Sequence, residues 1–221
     1  MAPHPPLWSD RHAAGMALAA RLRSSLGPGD LDLGTVVALP RGGVPVAVAV
    51  AEGLQLPLVT WSVRKVADPR WPELAIGAVA RGGVAVWRQG QGGVEPEAMA
   101  IQQGWLQAQE RELVRRQTLF GDPNPSALGG RHLIVVDDGI ATGMTVKAAL
   151  LSLAQVQPRR LSLAVPVVDR RVARDLAGLV DQLEALALVD DLQAVGQWYA
   201  TFTQLSDGEV LELLRPWQQP T

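Results

Sequence analysis

Short apolar runs recur along this chain, and most lead into a turn of glycine, proline or aspartate and then into a helical stretch. A first helix is expected from Ser9 to Leu26, capped by Ser9, rich in Ala and Leu and ended by LGPGD. Thr35 to Leu39 is a short buried strand that runs into Pro40-Arg41-Gly42-Gly43. VPVAVAVAEGL follows as a helix with Pro45 in its first turn, although its β-branched residues leave a strand open. Leu56 to Val63 is a second strand, and RKVADPRWPE after it is polar, carries two prolines and reads as an exposed loop. LAIGAVA and GVAVW form a hairpin around RGG. From Glu95 to Phe120 one long polar helix is expected, with a thin apolar stripe at Met99, Leu106 and Leu113.

GDPNPSALGG resembles a linker but is too short to establish a domain boundary. Beyond it the alternation is regular. Strands at His132–Val136, Arg160–Val167 and Gln182–Leu188 are separated by helices at Thr145–Ala154 and Asp169–Leu179. A capping box, Ser206 with Glu209, opens a last short helix. Strands alternating with helices through short turns predict an α/β fold with a doubly wound, mainly parallel sheet. With 221 residues, one domain spanning 1–221 is the expectation.

Composition narrows the function. A net charge of −2 argues against a nucleic-acid face, because neutralising phosphates needs a basic excess. The one basic cluster, Arg111 to Arg116, is interleaved with Glu110 and Glu112 and reads as a solvated helix face. The absence of cysteine excludes disulfides, thiolate nucleophiles and zinc–thiolate sites. His4, His12 and His132 are isolated, with no metal-ligand spacing. No apolar run reaches membrane-spanning length and the first residues lack a signal-peptide core, so a soluble cytoplasmic protein is expected.

Chemistry concentrates in two turns. In a doubly wound sheet, ligands bind beyond the carboxyl ends of the strands. There VVDDGIATGMT places Asp137 and Asp138 before a helix start. Backbone N–H groups at that start can converge on a phosphate, with Gly143 allowing close approach and Thr142 and Thr145 adding hydroxyls. The two acids suit vicinal hydroxyls or a Mg²⁺ shell, and a sugar phosphate answers both halves. The plainer alternative is a strand end and a helix cap. The turn lacks the P-loop lysine, and no G-x-G-x-x-G occurs.

VVDDGIATGMT resembles the phosphoribosyl pyrophosphate (PRPP) signature of type I phosphoribosyltransferases. The resemblance implies Asp137 and Asp138 on the ribose hydroxyls and Ala141, Thr142, Gly143, Met144 and Thr145 on the 5-phosphate. PRGG resembles that family's pyrophosphate loop, often built on a non-proline cis peptide, which implies Arg41, Gly42 and Gly43 on the pyrophosphate. VRKVADPRWPELAIGAV resembles its flexible catalytic loop, which implies that Arg64 and Lys65 reach the pyrophosphate on closure. Nearly the whole chain, from WSDRHAAGMALAARL to WYATFTQLSDGEVLELL, resembles a bacterial group of phosphoribosyltransferases of unsettled acceptor. RRQTLFG departs from that group, where Tyr and Arg would be expected at Phe120 and Gly121.

The implied reaction is Mg²⁺-dependent displacement of pyrophosphate from PRPP by a nitrogenous acceptor, with Arg41, Lys65 and Glu73 as catalytic candidates. Ala141 stands where 6-oxopurine enzymes often carry a third Asp, as adenine-type enzymes tend to. Glu73 is the candidate base, and a solvated loop carboxylate is its plain alternative. The resemblance further implies a homodimer and a small hood for the acceptor, with 88–130 and 197–221 as candidates. Trp105, Trp198, Tyr199 and Phe202 could stack there, although with seven Trp most belong to core or interface. Two other functions compete. One is a PRPP-sensing regulator without turnover. The other is an Asp-nucleophile phosphatase or receiver domain, which leaves the Thr-Gly-x-Thr run unexplained.

Overall fold

A computed structural model describes residues 5–71, 74–89 and 95–218. Five strands form a parallel sheet in the order β2-β1-β6-β7-β8: β1 (Gly34–Ala38), β2 (Leu58–Thr60), β6 (His132–Val136), β7 (Arg160–Asp169) and β8 (Gln182–Val189). The expected doubly wound, mainly parallel sheet is therefore present. Period-2 alternation sends successive side chains to opposite faces. Val37, Leu133, Val135, Leu163 and Val165 pack on one side with Leu150 and Leu153 of α6 (Met144–Ala154) and Leu176 of α7 (Arg170–Ala177). Val36, Ala38, Ile134, Val136 and Ala164 pack on the other with α1 (Arg11–Ser25), α3 (Gly43–Leu54) and α8 (Asp207–Leu214). A short α2 (Pro28–Asp32) leads into β1.

α3 is a helix despite four valines, because burial overrides propensity. Val44, Val46, Val48 and Val50 are all buried, and α3 packs closely on α1. That approach needs small residues: a β-carbon on Gly15 would lie 2.6 Å from the Val46 carbonyl oxygen. At the start of α1 the side chain of Asp10, not Ser9, caps the helix by accepting from Ala13 N at 2.8 Å.

The expected hairpin around Arg81–Gly83 is present, whereas the strand and loop before it are organised differently. Leu56 to Val63 is not one strand. β2 stops at Thr60, and Val63–Ala67 (β3) starts a second, antiparallel sheet with β4 (Ala75–Ala80) and β5 (Val84–Trp87). Arg64 and Lys65 thus lie on a strand, and the loop proper is shorter than its polarity suggested. Asp122 fixes the break. Its carboxylate accepts from Thr60 Oγ1 (2.8 Å), Ser62 N (2.7 Å) and Ser62 Oγ (3.0 Å).

The long helix expected from Glu95 to Phe120 is two, α4 (Pro96–Gln102) and α5 (Trp105–Phe120). Gly104, at φ +72°, breaks it with a left-handed residue that no helix interior accommodates. The apolar stripe is present: Leu113 is buried with Val66, Ile76 and Val79, and Met99, Leu106 and Trp105 pack against that cluster. Phe120, at the departure from the resembled group, is buried in the main core and its carbonyl accepts from Thr60 Oγ1. Gly121 ends α5. Among the described residues Trp61 is the one fully buried tryptophan, while Trp71 is 68% exposed, so the indoles are less uniformly buried than expected.

Candidate functional site

Register brings the two turns together. Ala38 of β1 pairs with Val136 of β6, so Pro40–Gly43 and Asp137–Thr145 leave the sheet side by side at its carboxyl edge. The Pro40–Arg41 peptide is cis, as the resemblance implied for this loop. Leu39 N donates to the Val136 carbonyl and Gly43 N to the Leu39 carbonyl, folding the turn back on the strand ends. The glycines are required by contact: a β-carbon on Gly42 would lie 2.2 Å from Asp138 Oδ2, and one on Gly43 would lie 3.0 Å from Asp137 Oδ1. No side chain fits between this loop and the two acids.

The acid pair is enclosed. Asp137 Oδ1 accepts from Asp138 N at 2.9 Å. Asp138 Oδ2 accepts from Arg11 Nε at 2.8 Å, with both side chains largely buried. Burial and the adjacent Asp138 charge raise the Asp137 carboxyl well above its ordinary value. Burial raises Asp138 as well, and the Arg11 guanidinium offsets part of that rise.

Past the acids, Ile140 N donates to the Val167 carbonyl and Asp169 N to the Ile140 carbonyl, which stitches the turn to β7. Gly143 caps α6 at φ +74°, with Val172 so close that a β-carbon would lie 2.5 Å from its Cγ1. Ala141, Thr142, Gly143, Met144 and Thr145 therefore form the entry to an eleven-residue helix, where backbone N–H groups lack intrahelical acceptors.

The two ends of the described chain form a wall over Asp138. Trp8 makes a parallel bridge with Tyr199, Ala200 N donates to the Trp8 carbonyl, and Thr201 N to that of Ser9. Tyr199 Oη donates to the Asp138 carbonyl at 2.6 Å, and its ring contacts both Trp8 and Phe202. Arg11 lies over the Phe202 ring at 3.7 Å and donates to the Thr203 carbonyl. Of the aromatic candidates, Tyr199 and Phe202 thus adjoin the acid pair, whereas Trp105 packs on the outer cluster.

The remaining candidates are spread wider. Arg41 faces Asp207 at the start of α8, Nη1 to Oδ1 3.5 Å. Arg64 donates from Nε to Gln109 Oε1 of α5 at 3.0 Å, and burial lowers its basicity. Lys65 is the next residue on β3, opposite Ala78, and strand alternation turns it to the other face from Arg64. Glu73 lies outside the described residues. Arg11 was missed by sequence reasoning, yet one signal was available: it opens α1, where a cation opposes the helix dipole, so its charge must be answered elsewhere.

The family model of the phosphoribosyl transferase domain matches residues 9–179. A protein of Mycobacterium tuberculosis provisionally named a phosphoribosyl transferase is 42% identical over 216 residues, covering 94% of this chain and 46% of its own length. The chain thus spans about half the length of the curated relatives it matches. TT1426 from Thermus thermophilus is 35% identical, covers 96% of this chain and 99% of its own, and superposes with a TM-score of 0.67. AQ2163 from Aquifex aeolicus, 9% identical over 86% of this chain and 85% of its own, shares the fold at a TM-score of 0.52. With the signature turn, the PRGG loop and the parallel sheet in register, the chain belongs to the phosphoribosyl transferase domain family.

Proposed function

We propose that this protein transfers the 5-phosphoribosyl group of PRPP to a nitrogenous acceptor and releases pyrophosphate. The observation that carries the proposal is the contact between Gly42–Gly43 and Asp137–Asp138, which sets a diphosphate loop against a hydroxyl-binding pair at the mouth of α6. In this reading the acids accept from the ribose hydroxyls, and Ala141 to Thr145 hold the 5-phosphate with their N–H and hydroxyl groups. Arg41, Gly42 and Gly43 take the pyrophosphate, and Arg64 and Lys65, which lie on opposite faces of β3 here, reach it only on closure. The C1–oxygen bond breaks with its electron pair leaving on pyrophosphate, the acceptor nitrogen bonds to C1, and the acceptor's proton passes to a base. Glu73 is our candidate base on sequence grounds alone. Held charge and geometry, rather than covalent chemistry, lower the barrier.

Among the described residues no cluster of three or more His, Cys, Asp or Glu is placed to hold a metal, and Asp138 already shares its charge with Arg11. The donors fit a Mg²⁺ bound mainly through the substrate and water, with Asp137 the freer carboxylate. When bound it supplies charge neutralisation on the leaving group. Tyr199 and Phe202, with Trp8, make the hood wall at residues 197–221, and α4 and α5 within 88–130 make the other. Ala141 disfavours a 6-oxopurine acceptor. A single domain acting as a cytoplasmic homodimer completes the proposal. Among the described residues no helix is long and apolar enough to cross a membrane.

One observation favours a second reading, a PRPP-binding regulator without turnover: Arg41 and Arg64 are engaged by Asp207 and Gln109 within the chain. The test measures PRPP binding by calorimetry, then pyrophosphate release with Mg²⁺ against a panel of bases, amines and orotate. Release with one acceptor supports the transferase. Binding that is lost in Asp137→Asn/Asp138→Asn, without release, supports the regulator. No PRPP binding overturns both.

A further inference from the structure

Four guanidinium groups gather beside the PRGG loop, from three separate elements. Arg41 comes from the loop, Arg64 from β3, and Arg115 and Arg116 from α5. Arg64 is half-buried, and the neighbouring charges of Arg116, Arg41 and Arg115 add to burial in lowering its basicity. Two carboxylates answer them. Glu112 pairs with Arg115 at 2.7 Å and Arg116 at 3.0 Å, which holds its carboxyl down at about 2. Asp207 bridges the remaining gap, with Oδ2 2.8 Å from Arg115 Nη2 and Oδ1 3.5 Å from Arg41 Nη1. The helix face that reads as solvated in the sequence is therefore not so throughout, since Arg116 is buried.

Asp207 is poorly matched to its place. Its Oδ1 is buried and accepts no hydrogen bond among the described residues. Nor does α8 need it as a cap, because Ser206 and Glu209 already satisfy one another's N–H groups there. A single carboxylate thus spans two guanidinium groups with one hydrogen bond to Arg115 and none to Arg41, while Glu112 holds the Nε and Nη2 edge of Arg115. A diphosphate, with more oxygens and more charge, can take the Arg41 fork and, in place of Asp207, the edge of Arg115 that Glu112 leaves open.

We propose that Arg115 is a second anion-binding arm of this site, joining Arg41 on the diphosphate end of the sugar phosphate, and that Asp207 is the internal carboxylate which the diphosphate displaces. This rests on the phosphoribosyl reading above. It makes α5 part of the binding surface and the start of α8 an internal competitor for it.

Calorimetry of the full chain with inorganic pyrophosphate and, separately, ribose 5-phosphate tests this. Asp207→Asn removes the competing charge and tightens pyrophosphate binding by about tenfold, while Arg115→Gln weakens it by about tenfold and Arg115→Lys by less. Ribose 5-phosphate affinity is the same in all three, and unchanged melting temperatures show that each variant is folded. The inference is overturned if Asp207→Asn weakens pyrophosphate binding, if Arg115→Gln leaves it unchanged, or if the wild type binds ribose 5-phosphate but not pyrophosphate. A wild type that binds neither overturns the functional reading itself. Should Arg115→Gln fail to fold, Asp207→Asn still decides the matter, because Asn matches Asp in size and removes only the competing charge.

Discussion

Arg11 Nε lies 2.8 Å from Asp138 Oδ2, so one acid of the signature pair carries its own counter-ion, delivered from the first turn of α1. The guanidinium is fixed on its other sides by the Phe202 ring and the Thr203 carbonyl. Arg11→Met removes one partner of a largely buried pair and leaves Asp138 uncompensated. We expect a loss of about 1–3 kcal/mol in urea unfolding. Ribose 5-phosphate binding, measured by calorimetry, falls as well, because Asp138 then favours its protonated form. Arg11→Lys keeps the charge but not the planar contact with Phe202, and falls between the two.

Gly42→Ala tests the contact between the two turns. The new methyl would sit 2.2 Å from Asp138 Oδ2, and that carboxylate cannot swing aside without leaving Arg11. We expect ribose 5-phosphate affinity to drop by about tenfold or more, equivalent to about 1.4 kcal/mol. A variant that binds as the wild type does would show that the loop and the acids move independently.

Asp137 predicts a pH dependence. Its carboxyl is raised by burial and by Asp138, so the folded state holds that proton more tightly than the unfolded chain does. The resulting stability is fully present below the unfolded value of about 4 and is lost as the pH rises through the raised one. Asp137→Asn should therefore raise the thermal midpoint at about pH 7.5 and change it little near pH 3.5. Sugar-phosphate affinity has the opposite slope, increasing with pH over the same window, because hydroxyl groups donate best to the ionised pair. A flat profile in both would count against a raised Asp137.

Asp122 predicts a purely structural effect. It accepts three hydrogen bonds from Thr60 and Ser62 at the point where the chain leaves the parallel sheet for the antiparallel one. Asp122→Ala strands the Ser62 N–H and hydroxyl, while Thr60 keeps the Phe120 carbonyl, and should cost about 1–3 kcal/mol in urea unfolding with ribose 5-phosphate affinity retained.

Much of this was legible in the residues alone. The strand–helix alternation, the capping box at Ser206 and the two glycine-bearing turns are local patterns, and local patterns survive without the fold. What was hidden depends on distance along the chain. The end of β2 at Thr60 is set by Asp122, which no window around Thr60 contains. The break at Gly104 was locally visible as a glycine, but an isolated glycine within a polar helical pattern is tolerated often enough to be passed over. Arg11 and Asp138 are 127 positions apart, and Arg115 meets Asp207 across 92. The signature acids could be named from sequence, whereas Arg11, the cation beside them, could not.

The bridge from Trp8 to Tyr199, and the bond from Arg11 to Thr203 across 192 positions, also order events in time. Contacts so distant along a chain form late, because the intervening loop must close before they repay its entropy. During synthesis both turns can be assembled on β1 and β6 while the wall over Asp138 still awaits residues near 200. Recovery of the buried Trp61 signal in refolding should therefore precede recovery of sugar-phosphate binding, so that the protein acquires its shape before its affinity.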